Sequence, residues 1–168
     1  MIVKKLWILL ALTVILSGCS AQQTFENILD GWEMPEEAKM QQVQLTLPDE
    51  ASVMTMQADN QDRLYLCNGY TVTVQTLPSG DMEETMLEVT GFDIDRLQMV
   101  NTRTLEAERV DCVWTSAGEG GDQVCRAVVL DDGNFHYVVT TMADASVSGE
   151  LTQVWNDLFS SVQLINID

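Results

Sequence analysis

From position 43 onward, apolar and polar residues alternate in short runs. Val43, Leu45 and Leu47 are separated by Gln44 and Thr46 ahead of Pro48-Asp49, and Tyr70, Val72 and Val74 by Thr71 and Thr73. A period of two sends one face of an extended chain to a core and the other to water. Less regular versions of this pattern predict strands over Val53–Gln57, Leu64–Cys67, Leu97–Leu105, Val110–Ser116, Gln123–Leu130 and Phe135–Met142. Two connections are marked by turn chemistry. Gly118-Glu119-Gly120-Gly121 offers a glycine-rich tip, and Asp131-Asp132-Gly133-Asn134 contains the Asp-Gly pair that tolerates the positive φ of tight hairpins.

The alternation breaks at Pro78-Ser79-Gly80-Asp81. Asp81 with Glu84 three residues on predicts a capped helix start, Met82, Met86 and Val89 share one face, and Gly91 supplies the stop. A second helix is predicted near Ser146–Ser160. There Leu151, Val154, Trp155, Leu158 and Phe159 recur at helical spacing. Val162, Leu164 and Ile167 complete the pattern as a last short strand or a packed tail. The elements together predict an α+β fold, an antiparallel sheet of about six to seven strands packed with a mid-chain helix and a long C-terminal amphipathic helix, forming one domain over 43–168.

The beginning of the chain follows a different rule. Met1–Lys5 carries two lysines, Leu6–Leu16 is apolar except for one threonine, and Ser17-Gly18 precede Cys19. This is the layout of a secretory signal peptide over 1–18, with an apolar stretch shorter than the ~20 residues a membrane-spanning helix needs. Leu16-Ser17-Gly18-Cys19 resembles a bacterial lipobox. The resemblance implies cleavage before Cys19, lipid attachment to its sulfur, and anchorage on the extracytoplasmic face of the cell membrane, where two acyl chains hold far better than one. Residues 19–42 then form a tether in which Phe25, Ile28, Leu29 and Trp32 predict a short helix stopped by Gly31 and Pro35. That helix is expected to dock on the domain, or else to meet a partner near the membrane.

The order of elements resembles the PsbP-like fold of DcrB-like and LpqN-like bacterial lipoproteins over about residues 43–165. The resemblance is carried by Val43-Gln44-Leu45-Thr46-Leu47-Pro48, Asn134-Phe135-His136-Tyr137-Val138-Val139 and Trp155-Asn156-Asp157-Leu158-Phe159-Ser160-Ser161-Val162. A cystatin-like sheet wrapped on one helix is the competing architecture. The resemblance implies an accessory domain of the cell envelope with no shared catalytic motif.

Charge narrows the partners. The chain has 26 acidic and eight basic side chains; removing residues 1–18 takes Lys4 and Lys5 and no acid, leaving six basic residues and a formal charge of −20. Phosphate backbones and anionic headgroups repel such a body, so nucleic acid is excluded as a partner and an envelope protein or cell-wall component is favoured. The roughly 150 remaining residues suit a single core. Three thiols remain beyond Cys19. Cys112 and Cys125 flank the glycine-rich tip, and a register pairing 114 with 123 would oppose them as a disulfide; the alternative is three buried free thiols. Cys67 reads as packed and inert.

Candidate chemistry is sparse. His136 is the only histidine, so any Ser-His-Asp or Cys-His site would run through it; a lone strand histidine, on the face of Val138 and opposite Phe135 and Tyr137, reads as structural. Asp131, Asp132 and Asn134 could ligate a small molecule or calcium, although turn formation accounts for them. Asp93 and Asp95 lack the residue series of a calcium loop. Gly118–Asp122 joins strands and carries acids, which excludes a phosphate cradle. Met82, Met86 and Met99 read as core. No cofactor or metal is implied. The sequence therefore predicts a membrane-anchored, non-enzymatic binding or accessory lipoprotein, with a ligand- or calcium-binding module as the alternative and a hydrolase using His136 third.

Overall fold

The computed structural model describes residues 39–54, 62–100, 108–118 and 121–166. Strands dominate them. β1 (Gln42–Gln44) pairs with β9 (Gln163–Ile165) as a two-stranded ribbon. A seven-stranded antiparallel sheet contains β2 (Ser52–Met54), β3 (Arg63–Cys67), β4 (Tyr70–Pro78), β5 (Gln98–Met99), β6 (Arg109–Gly118), β7 (Gly121–Asp131) and β8 (Phe135–Asp144), in the order β2-β3-β4-β8-β7-β6-β5.

Alternation along the long central strands builds two cores on opposite faces. On one face Val110, Cys112 and Trp114 of β6, Cys125, Ala127 and Val129 of β7 and Val138 of β8 pack with Leu97 and with Met82 and Met86 of α1 (Met82–Thr90). The other face presents Val72, Val128, Tyr137 and Val139, all fully buried. There α2 (Thr152–Ser161) is held by Arg126, whose guanidinium lies 4.4 Å from the Phe159 ring centroid, and by Trp155, edge-on to Tyr70 at 6.3 Å. The start of β1 reaches the same face, where the Gln41 amide donates to the Tyr137 hydroxyl at 2.8 Å.

α1 begins and ends as its sequence dictates. The Asp81 carboxylate accepts from the Glu83 and Glu84 amides at 2.8 and 3.2 Å, satisfying donors that a first turn leaves open. Gly91 closes the helix at φ 74°, its amide donating to the Leu87 carbonyl.

The expected fold class needs correction: the described residues are mostly antiparallel sheet with two short helices, and the long C-terminal amphipathic helix is not formed. α2 has ten residues. Upstream, the Asp144 carboxylate accepts from the Ser146 amide at 2.8 Å, and the Asp144 carbonyl from both Val147 and Ser148 at 3.1 Å. Asp144 thus commits the next residues to turns, which continue to Leu151. Val154, assigned to the buried stripe by spacing, is 39% exposed.

The β6–β7 register also differs from expectation. Ser116 opposes Gln123 and Gly118 opposes Gly121, so Trp114 faces Cys125 and Cys112 faces Ala127. Gly121 adopts φ 128°, which side chains rarely allow, and the hairpin closes one residue later than the alternation suggests. A two-residue change of register preserves every residue's face.

Candidate functional site

His136 is fully buried on β8, beside α1. Its Nδ1 and the Thr85 hydroxyl are hydrogen-bonded at 2.7 Å. Nε2 lies 3.7 Å from an Asp131 carboxylate oxygen, beyond hydrogen-bond range. Burial pushes the imidazole below its ordinary range, with the Asp131 charge opposing. The side chain is placed to join α1 to the sheet.

Asp131 and Asp132 are occupied by their own turn. Asp131 Oδ1 accepts from the Gly133 amide at 2.8 Å and the Ser79 hydroxyl at 3.1 Å. Asp132 Oδ1 accepts from the amides of Asn134 (2.9 Å) and Phe135 (2.8 Å), while Oδ2 takes the Tyr137 hydroxyl at 2.9 Å. Gly133 supplies the positive φ, at 87°. Carboxylates this engaged are turn-builders, and among the described residues no His, Cys, Asp and Glu group is arranged to hold a metal ion.

Cys112 and Cys125 are diagonal neighbours on the α1 face, not directly opposed, and both are free thiols. Burial pushes Cys112 up to about 12 and raises Cys125, which suppresses thiolate chemistry. Cys67, partly buried, is raised for the same reason. Met82 and Met86 lie in the core, with Met99 packed against it. Cys19 and the Phe25–Trp32 segment lie outside the described residues.

The sequence gives less warning of a polar constellation beneath α2. Arg109 grips Asp111 with two bonds, Nε to Oδ2 at 2.8 Å and an Nη2 contact to Oδ1 at 3.3 Å, and also donates to the Phe159 and Val162 carbonyls. Asp111 is only 2% exposed, and 3.7 Å from it lies a second guanidinium, Arg126, itself 8% exposed. Arg126 donates to Asn156 Oδ1 at 2.8 Å. A cleft of about 230 Å³ is lined by Arg126 and Asn156 of this group and bounded by the turn at Ser148 and Gly149, the start of α2 and the strand residues Val113 and Val124. The available signal was one arginine inside the apolar run Val124–Leu130, because a charge on a doubly covered strand requires partners.

No protein-family model matches the chain, and no curated protein matches it in sequence. Solved structures do share its fold. The Ran-binding protein Mog1p of Saccharomyces cerevisiae overlays with a TM-score of 0.52 at 9% identity, covering 74% of this chain and 90% of Mog1p. A protein from Bacteroides thetaiotaomicron gives 0.51 at 9% identity over 74% of this chain and 45% of its own. LpqN of Mycobacterium tuberculosis, involved in cell envelope biogenesis, gives 0.47 at 10% identity over 77% and 86%. The domain is thus of the Mog1p fold; at such identities, likeness extends to architecture alone.

Proposed function

We propose that the chain is a lipoprotein anchored through Cys19 on the extracytoplasmic face of the membrane, whose folded domain is a non-catalytic binding or accessory module of the cell envelope. His136 carries the non-catalytic part: the single histidine is sealed from solvent and spent on Thr85, so it meets no substrate. The sequence Leu16-Ser17-Gly18-Cys19 supports the anchor. Mog1p, named for binding a protein, is a precedent for a binding role on this fold. The partner proposed is an envelope protein or cell-wall component, met by a strongly acidic body.

Mass spectrometry of the native protein tests the anchor. The expected N-terminal peptide begins at Cys19 and carries acyl mass, and Cys19→Ser loses both the lipid and membrane fractionation. An unmodified sulfur, or a retained leader on a protein inside the cell, would overturn the proposal.

A further inference from the structure

β1 crosses the sheet on the α2 face, at the level where Tyr137, which accepts the Gln41 amide, stands opposite Thr76 of β4. A small cavity lies under the crossing. Its volume is about 70 Å³, and Val43 and Leu45 of β1 enclose it with Arg63 and Tyr65 of β3 and Val74 and Thr76 of β4. Arg63 opposes Val74 in the ladder, so the period of two brings all four sheet residues to one face.

The cavity's polar side chains keep bonding capacity that the fold leaves unspent. Thr76 is 8% exposed, and among the described residues its amide has a side-chain acceptor, Asp62 Oδ1 at 3.1 Å, while its hydroxyl has no hydrogen bond. That hydroxyl is nevertheless not among the buried polar atoms cut off from solvent, so it opens on the cavity that Thr76 lines. Arg63 spends one of its five N–H donors on the Asp62 carbonyl, at 2.9 Å. The ion pairs among the described residues are Arg109–Asp111, Arg126–Asp111 and the His136–Asp131 contact, and none includes Arg63. In a chain with 26 acids against eight bases, such a cation stands out. No carboxylate lines the cavity, since Asp62 beside it is buried and turned to the main chain of β4.

We propose that this cavity binds a short aliphatic monocarboxylate, its charged end on Arg63 and the Thr76 hydroxyl and its alkyl end on Val43, Leu45 and Val74. One guanidinium balances one negative charge and meets both carboxylate oxygens with parallel N–H groups. The aliphatic walls take the alkyl carbons out of water. At roughly 10–15 Å³ for each water-sized occupant the volume admits about five, which fits acetate, propionate or butyrate and excludes long chains. The acids elsewhere on the body weigh little here, because at physiological salt their field is largely screened beyond about 8 Å, whereas Arg63 is in contact. The site is independent of the anchor: a chain found unlipidated would leave it intact.

The test titrates the full ¹⁵N-labelled chain with propionate, propionamide, octanoate and inorganic phosphate at matched ionic strength, following the backbone amides of β1, β3 and β4. Saturable shifts with propionate, centred on residues 43–45, 63–65 and 74–76, are expected, with none from its neutral amide. Octanoate should bind more weakly than propionate. Arg63→Gln changes an exposed side chain, so it should keep the Tm and abolish the shifts, while Arg63→Lys, which keeps the charge but not the paired N–H groups, should retain part of the affinity. Thr76→Val keeps the volume and should weaken binding roughly tenfold, with Thr76→Ser restoring it. Silence into the high millimolar range, an equal response to propionamide, tighter binding of octanoate, shifts that survive Arg63→Gln, or a response to phosphate alone would overturn the assignment.

Discussion

Replacing Thr85 with valine would remove the hydrogen-bonding partner of His136 Nδ1 while keeping the volume of the side chain. Thr85 Oγ1 and His136 Nδ1 are 2.7 Å apart in a site where the histidine is fully buried, and Nε2 already lacks a bond. The variant therefore holds an imidazole with neither nitrogen satisfied. Stranding such a group costs about 1–3 kcal/mol, against the 0.5–1.5 kcal/mol typical of a hydrogen bond whose partners return to water. The fall in Tm should be several degrees for a domain of this size. His136→Phe alone strands the threonine hydroxyl instead, whereas the double variant removes both polar groups and should be less destabilised than the two single costs combined. Urea denaturation of the four proteins completes the cycle. A Thr85→Val cost below about 0.5 kcal/mol, or strict additivity, would refute the claim that this bond fastens α1 to the sheet.

Other expectations follow from the same geometry. Because burial lowers the His136 pKa from its ordinary 6.5, the unfolded chain takes up the proton first; stability is full above about 6.5 and declines as pH falls below it, by at most about 1.4 kcal/mol per unit, and this component should vanish in His136→Phe. Asp81→Ala should cost roughly 0.5–2 kcal/mol by uncapping α1, with Asp81→Asn retaining most of the stability, as read by thermal melts. Gly91→Ala meets no atom within 4 Å, so its cost of about 1–2 kcal/mol in chemical denaturation should come from the left-handed backbone alone. Phe159→Ala, emptying a fully buried site beneath Arg126, should cost about 3–5 kcal/mol and detach α2 first, visible as faster amide exchange there.

Sequence is most legible where structure is local. The Asp81 cap, the Gly91 stop and the Asp132–Gly133 turn are each made by bonds within a few residues, and spacing alone predicts them. The common face of His136 and Val138 follows from period two. Legibility fails where a distant strand or a competing local bond decides. The Asp144 turns interrupt a convincing helical stripe, and a positive φ at Gly121 sets the β6–β7 register. The arginine cleft is least legible, since Arg109, Asp111, Arg126, Trp155 and Asn156 converge only when β6, β7 and α2 are assembled. Composition registers those residues as a few charges in an acidic chain.

The strand order has a consequence for folding. β6, β7 and β8 are neighbours in sequence as well as in the sheet, whereas β4 reaches β8 only across the whole of α1, β5, β6 and β7. Loop closure makes the three-stranded meander the less costly part to assemble and the β4–β8 pairing the more costly one. Destabilising substitutions within the meander should therefore slow folding, and those in β4 should chiefly speed unfolding, as stopped-flow kinetics would read.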